Sequence, residues 1–511
     1  MGKLKNILKV AFATVGSRVL GLVRDSFSMA YMGIGAVSSA YTFAFTLPNL
    51  FRRLLGEGAL SGAIMPVFVH TSNQDGLEKA FSFLNKITTR ALVWILCIVA
   101  VAAVVSLAAM CYFDESQTRY FLGAKYSLVL FPYLFFVCLA AVFSSVLNAL
   151  GSFGVPSITP MFLNCCIIAA LFCGVGIFGA ADVENIALCM CFGWLAGGVV
   201  QLGLPAAFLM KKGWRFRFDM SYSPQVGELY ALFLPALVGA AVVQLNIFVS
   251  KLLAFNIDDS ATPALYVSSR ILEFPLGVFT VAIATVYFPR LSKLAAQKLS
   301  ADFKREYADG LVATMAIALP ATFGIAALSK EILQMLFMWG LFDMKDIDIC
   351  VPVLLVSVAG LPFFAWTSYA TRGFHSNKDT KTPVRISYVS IAVNLVLSVA
   401  LMFPFRAAGL AGANVAAAVF SSAALHFALK KKVGTERVSG DMAKIAAASV
   451  LMAAVCVALK ELVVPQFGLD PKMGAFVSCV GIIPVAVAAY LVFLRLLNFE
   501  RLSQLKRLIK K

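Results

Sequence analysis

Five arginines and one lysine stand inside long apolar runs of this 511-residue chain: Arg18, Arg24, Arg52, Arg53, Arg270 and Lys251. At about 1.5 Å per helical residue, Arg18 lies about 16 Å into its run and Arg24 about 25 Å. Counted from the start of runs that enter from the opposite face of the membrane, Arg52 is about 22 Å deep and Arg270 about 12 Å. Lys251 is close to the end of its run and can snorkel to an interface. A central arginine costs about 2.5–3.5 kcal/mol on insertion scales, so three or four facing hydrocarbon would cost on the order of 10 kcal/mol. They must face a wet cavity or find partners. The acids at similar depth are Asp25, Glu57 and Glu273. Arg18 and Asp25 are seven apart and share a helix face. Arg53 and Glu57 are spaced i,i+4, and Arg270 and Glu273 i,i+3. Salt bridges that lock helices together are therefore one reading. Five arginines against three acids leave a positive surplus, which supports a second reading. A positive cavity suits an anion, and guanidinium forks onto phosphate oxygens.

The runs that carry these charges set the fold class. The chain is 60% hydrophobic and 14% charged, with a mean hydropathy of +0.87. Soluble domains run at about 45–50% apolar and about 25% charged, so an ordinary soluble enzyme is excluded, and disorder requires low hydrophobicity. A spanning helix needs about 20 mostly apolar residues. Fourteen runs qualify, near 7–33, 37–69, 83–110, 126–150, 155–179, 185–210, 226–255, 262–289, 308–328, 347–371, 383–403, 407–429, 442–464 and 473–497. The expected fold is all-α: a polytopic membrane protein with 14 transmembrane helices. The first run carries Arg18 and Arg24 and has no small-residue cleavage site, so it does not read as a cleavable signal.

The net charge of +17 would suggest nucleic acid in a soluble protein. In a membrane protein the positive-inside rule explains it better. With the N-terminus in the cytoplasm, inner segments hold thirty Lys and Arg, among them Lys211, Lys212, Arg372, Lys378, Lys381, Arg385 and Lys432. Outer loops hold seven, among them Arg119, Lys125 and Arg406. Both termini are therefore expected in the cytoplasm. Nine of the eleven cysteines lie in apolar runs, where they behave as small hydrophobes. Nothing supports a disulfide between the other two, Cys111 and Cys350. His70, His375 and His426 are far apart in sequence and near no cysteine pair, so neither a metal site nor a cofactor is expected.

A weak internal repeat relates two halves. At an offset of 223, Gly16 matches Gly239, Leu22 matches Leu245, and Pro66 matches Pro289. Six helices per repeat give both halves one orientation, facing each other across a central cavity. The expected division is 1–215 for the first lobe, 216–435 for the second, and 436–511 for two extra helices with a basic tail. The second run contains "LLGEGALSG", with Gly56, Gly58 and Gly62 around Glu57 and with Pro48 and Pro66 on either side. Tight packing and a bendable helix both fit this pattern, the prolines favouring the bend. No Walker loop, HExxH or nucleophile elbow is present, so neither an enzyme nor a nucleotide-driven motor is expected.

Four stretches resemble a known family: "SRVLGLVRD", "NLFRRLLGEGALSGAIMPVF", "SSRILEFPLGVFTVAIATVYFPRLS" and "RGFHSNKDTKTPVRIS". They are similar to MurJ (MviN), the bacterial lipid II flippases, within the multidrug/oligosaccharidyl-lipid/polysaccharide exporter superfamily. The resemblance covers essentially the whole chain. It implies two six-helix lobes working by alternating access in the bacterial inner membrane. The implied substrate is lipid II, an undecaprenyl-pyrophosphate disaccharide pentapeptide. Arg18, Arg24, Arg52 and Arg270 match the family's cavity arginines. Glu57 matches the acid of its second helix, and Asp25 the acid after the second arginine. Arg53, Glu273, Gly56 and Gly58 stand beside these as supporting or gating residues. The resemblance also implies that the two extra helices line an apolar groove for the lipid tail. Some relatives carry carboxylates in the seventh and eleventh helices, implicated in sodium binding. Here those helices offer Gln244, Asn246, Asn394 and Ser398, a weak set for a cation. Ser39 stands where some relatives have an acid.

The expected partners are lipid II and membrane lipid, with no nucleic acid. A monomer working beside cell-wall synthesis proteins is the expected state. Competing readings are a flippase for another polyprenyl-pyrophosphate-linked glycan, a cation–drug antiporter, and a membrane scaffold or anion channel. Surplus arginine argues against a cation exporter. Without a nucleotide motif, transport should need no ATP hydrolysis by this chain and should respond to membrane potential, at about 2.3 kcal/mol per mobile charge per 100 mV. Flipping measured in cells before and after the potential is collapsed tests this; an unchanged rate would count against it.

Overall fold

The computed structural model describes residues 2–54, 60–436 and 438–499. It is helical from end to end: α1 (Gly2–Met32), α2 (Ala36–Phe51), α3 (Leu60–Asp75), α4 (Leu77–Tyr112), α5 (Thr118–Leu130), α6 (Tyr133–Ala149), α7 (Gly154–Phe178), α8 (Val183–Lys211) and α9 (Pro224–Ile257). There follow α10 (Ala261–Ala296), α11 (Ser300–Ala327), α12 (Ser329–Phe337), α13 (Met344–Ala359), α14 (Leu361–Ser376), α15 (Lys381–Lys432), α16 (Ser439–Ala458), α17 (Pro471–Val477) and α18 (Ile483–Leu496). Each of the fourteen expected runs coincides with one of these helices, with a broken pair, or with one arm of α15. Among the described residues, eight helical segments are long and apolar enough to cross a membrane, with α13–α14 and α17–α18 each counted as one, or nine if the bent pair α5–α6 is one span. Large apolar side chains such as Trp94 and Val104 on α4 are two-thirds exposed. In a bilayer that surface meets acyl chains, and the helix satisfies its backbone internally.

The chain packs as two compact units, Met1–Pro263 with Trp339–Leu341, and Ala264–Met338 with Phe342–Lys511. In the first unit α7 and α8 approach closely through Gly193 and Gly197, one helical turn apart. A Cβ on Gly193 would lie 2.7 Å from the Cβ of Ala170, and one on Gly197 would lie 2.9 Å from the Cα of Leu163. This is small-xxx-small packing, which lets backbones meet where lipid supplies no hydrophobic drive. At one end of this unit Ile64, Phe68, Leu84, Phe143 and Trp214 form a buried cluster. There Trp214 Nε1 donates to Asn85 Oδ1 (2.9 Å), and Asn85 Nδ2 donates to the Arg215 carbonyl (3.0 Å). Arg90 Nη2 donates to the carbonyls of Met220 (2.9 Å) and Ser221 (3.0 Å). The connection after α8 is thus strapped onto α4.

In the second unit α15 folds back on itself at Arg406 (φ 48°, ψ −129°), two residues after Pro404. Its two arms account for two of the expected spans. The return is tight: a Cβ on Gly409 would overlap the Leu401 carbonyl carbon at 2.6 Å. Helices α16 and α18 pack on α11 through Ile445, Met452 and Tyr490, all buried. The Tyr490 hydroxyl donates to the Ala316 carbonyl (2.8 Å). All eleven cysteines are free thiols.

The two close approaches should show in stability. Gly197→Leu and Gly409→Ala should each cost about 1–3 kcal/mol through overpacking. Gly203→Ala, where a Cβ meets nothing within 4 Å, should be neutral or stabilising by up to about 1 kcal/mol. Unfolding midpoints of the purified variants in detergent decide; three equal midpoints would remove the packing argument.

Candidate functional site

Arg24 and Asp25 are 7% and 3% exposed, midway along the last third of α1. Arg24 Nε and Nη2 both donate to Asp25 Oδ1, at 2.9 and 2.6 Å. Arg24 Nη1 donates to Asn164 Oδ1 of α7 (3.0 Å), and Asn164 Nδ2 donates to the Ser17 carbonyl (3.2 Å). The guanidinium carbon also lies 5.4 Å from the centre of the Trp194 ring of α8. Trp194 is held in turn by its Nε1–H, which donates to the Tyr41 hydroxyl (2.9 Å), and by stacking on Phe45. A buried guanidinium must be both paired and hydrogen-bonded to be tolerated. Here an adjacent carboxylate, a neighbouring helix's amide and an aromatic face do this together.

Arg18 is different. It stands six residues earlier on the same helix, about 9 Å along the axis, and its side chain is exposed. The seven-residue spacing suggests Asp25 as its partner. The structure spends Asp25 on Arg24, and among the described residues Arg18 makes no ion pair. Arg52 is half-buried, with Nε donating to Asn49 Oδ1 (3.3 Å), and Arg53 is exposed. Both stand just past α2, where the helix widens to a π turn over residues 52–54. Such turns are frequent at functional positions. Glu57, Gly56 and Gly58 lie outside the described residues.

Arg270 belongs to the second unit, on α10. Its Nη1 donates to Glu273 Oε2 (2.7 Å), the i,i+3 pairing read from the spacing, and its Nη2 donates to the Tyr266 hydroxyl (2.9 Å). The first unit therefore brings together Arg24 and Asp25 with Asn164 and Trp194; it also holds Arg18, Arg52 and Arg53. Arg270 and Glu273 form their own pair.

Several participants were not expected from sequence. Asn164, a lone amide in "MFLNCCII", carried a usable signal; Trp194, Tyr41 and Tyr266 carried none. Arg119, read as an outer-loop charge, is largely buried, with Nη1 3.3 Å from Asp259 Oδ1. Its Nη2 donates to the Tyr120 hydroxyl (3.1 Å). It ties α5 to the turn between α9 and α10. On α15, Ser398 donates to Asn394 Oδ1 (2.9 Å), and Asn394 Nδ2 donates to Asn414 Oδ1. These groups satisfy one another and include no carboxylate. Among the described residues no three His, Cys, Asp or Glu side chains gather to hold a metal.

An all-α bundle of apolar spans with ionisable side chains at depth is the build of a membrane transporter. A family model described as the lipid II flippase MurJ matches residues 29–470. A probable lipid II flippase of Vibrio cholerae serotype O1 is 31% identical over 98% of this chain and 97% of its own length. One of Haemophilus influenzae is 32% identical over 82% of this chain and 84% of its own length. A solved lipid II flippase MurJ in an inward closed conformation superposes with a TM-score of 0.79 at 25% identity, covering 96% of this chain and 99% of that one. An inward-facing multidrug transporter of the MATE family, at 12% identity and a TM-score of 0.66, covers 84% of this chain and 98% of that one and shares the fold. The chain thus belongs to the MurJ lipid II flippase family, a transporter family, and is a multi-pass protein of the bacterial inner membrane.

The buried pair has a consequence for mutagenesis. Arg24→Ala leaves Asp25 buried without its main counter-charge and should cost about 3–5 kcal/mol of stability. Replacing both, as Arg24→Met with Asp25→Leu, should recover most of that loss. Arg18→Ala should leave the melting midpoint within a degree or two of wild type, since an exposed side chain makes little difference to folding. Thermal unfolding in detergent separates them; an Arg24→Ala protein that melts like wild type contradicts the buried-pair account.

Proposed function

We propose that this protein moves lipid II from the cytoplasmic to the periplasmic leaflet by alternating access, and that Arg18, Arg52 and Arg270 engage its pyrophosphate with Arg24 holding the site's frame. The observation that carries the reading is Arg18. An exposed cation sits deep on an apolar spanning helix and makes no ion pair among the described residues. Such a position is stable only beside water or an anion. A diphosphate supplies several acceptor oxygens to guanidinium donors. Membership of the family directs the choice of anion to a polyprenyl diphosphate. The alternative, another polyprenyl-pyrophosphate-linked glycan, keeps the same charge chemistry and differs only in the sugar.

Further parts of the reading follow from sequence and family. Both termini lie in the cytoplasm, supported by the distribution of Lys and Arg. The working lobes are 1–215 and 216–435, and 436–511 supplies the lipid-tail groove. During transport the second span flexes, a reading supported by its glycine- and proline-rich sequence around Gly56 and Gly58, with Arg53, Glu57 and Glu273 adjusting the charge as it moves. The protein works as a monomer, in company with cell-wall synthesis proteins.

In a depletion strain of the native host, Arg18→Ala, Arg52→Ala and Arg270→Ala, expressed at normal levels, should fail to restore growth. The appearance of lipid II at the outer face should fall at least about tenfold, the loss of one charge-assisted contact of about 1.5–3 kcal/mol. Full complementation by all three would refute the diphosphate assignment.

A further inference from the structure

The strongest charged concavity outside these arginines lies where α14 turns into α15. The turn is built in two steps. Lys378 adopts a left-handed conformation (φ 57°). Its N–H then bonds the His375 carbonyl (3.0 Å), and the Asp379 N–H bonds the Phe374 carbonyl (3.0 Å). This reverses the chain directly after α14 and places Asp379 over the first turn of α15. There Asp379 Oδ1 accepts from the Thr382 N–H (3.0 Å), and Oδ2 accepts from the Thr382 hydroxyl (2.8 Å).

The second step is long-range. Because α15 folds back at Arg406, its last turn returns to the end where its first turn began. Lys432 Nζ thereby donates to Asp379 Oδ2 at 2.6 Å, across 53 residues of sequence. The result is a cavity of about 410 Å³ lined by Lys378, Lys381, Arg385, Lys432, Asp379 and neighbouring polar groups.

The charges in this cavity do not balance. Four cations face one carboxylate, and that carboxylate is already committed. Lys432 first, and then the hydrogen bonds from Thr382, hold the Asp379 carboxyl well below the usual carboxylate range. It remains ionised at neutral pH and fixes the turn. Lys378, Lys381 and Arg385 are exposed and make no ion pair among the described residues. The N–H groups at the start of α15 add partial positive charge on the same side. An open, polar cavity of this size with surplus cations suits a small multivalent oxyanion and offers nothing to an apolar ligand. The cytoplasmic orientation proposed above puts it level with the inner-leaflet headgroups.

We propose that this cavity is a second anion site that binds a phosphate group through Lys378, Lys381 and Arg385, with Asp379 and Lys432 as the brace that holds the three cations together. The phosphate has two possible sources: the headgroup of an anionic phospholipid, or a free phosphate compound of the cytoplasm. The site differs from the transport arginines in carrying exposed lysines on a turn between spans.

The test uses the full-length protein and reads binding, so that its outcome is independent of whether lipid II is the transported substrate. The variant replaces Lys378, Lys381 and Arg385 together by Ala. A control replaces Lys211, Lys212 and Arg217 by Ala, which removes the same charge from another exposed inner segment. In one arm, nanodiscs of phosphatidylcholine with or without phosphatidylglycerol report bound lipid by native mass spectrometry. In the other, inorganic phosphate and pyrophosphate are titrated in detergent, with the shift in unfolding midpoint as the readout.

Wild type should bind phosphatidylglycerol or pyrophosphate, the triple variant should bind at least about tenfold more weakly, and the control should stay within about twofold of wild type. Loss confined to the lipid arm identifies a headgroup, and loss confined to the soluble arm identifies a free phosphate compound. Equal losses in variant and control would show only the general field of basic loops and would overturn the proposal. No binding by wild type in either arm would overturn it as well.

Discussion

A cation on a membrane-spanning helix is a debt that the surrounding structure must cover, and much of this protein follows from how that is done. Arg24 is covered by protein. Its own neighbour Asp25 takes two of its N–H groups, Asn164 takes a third, and Trp194 lies against its face. Asp25 comes from the same helix, while Asn164 and Trp194 must be delivered at close range by α7 and α8. That requires α7 and α8 to pack tightly against one another, which Gly193 and Gly197 allow by presenting no side chain. The small residues of one interface and the buried charge of another are therefore parts of a single arrangement. Loosening α7 from α8 would move Asn164 and Trp194 together.

Much of the fold was legible in the sequence because bilayer thickness imposes a length on every span. The apolar runs located the long helices and both arms of α15, though not the short α12. What the runs could not show was where a span breaks. Run 126–150 reads as one helix and is two, α5 and α6, bent by 42°. Pro132 stands at that break, and proline removes the N–H that would continue the helix. The runs 383–403 and 407–429, read as separate spans, are the two arms of α15, parted at Arg406. Hydropathy reports burial in lipid and is blind to local backbone geometry.

The candidate site was legible in its cations and opaque in its partners. Arg18, Arg24, Arg52 and Arg270 stand out because charge in an apolar run is expensive. Spacing along one helix identified the Arg270–Glu273 pair, for which only helical periodicity matters. It suggested Arg18 for Asp25 and missed the adjacent Arg24, because i,i+1 residues do not face each other on an ideal helix. A long guanidinium can nevertheless curl back onto the neighbouring carboxylate when a second helix closes over both. Contacts made through tertiary packing, such as Arg24 with Asn164 across 140 residues, have no periodic signature. The same holds for Arg119, whose burial depends on the turn between α9 and α10.

The contrast between Arg18 and Arg24 bears on how charge could be used in transport. A guanidinium with a full set of protein partners has little to gain from an anion, since binding would exchange bonds already made. One on the same helix that makes no ion pair among the described residues gains the whole interaction. Placing both kinds on α1, about 9 Å apart along the axis, separates two demands that conflict in a single residue. A rigid frame needs charges satisfied within the protein, while a site that must release its ligand on the far side needs charges that water can solvate when the ligand leaves. Tight protein pairing at Arg18 would satisfy the first demand and defeat the second. Under the diphosphate assignment proposed above, the exposure of Arg18 serves turnover: a cation that water can cover in the empty site would bind a diphosphate without holding it too strongly to let go.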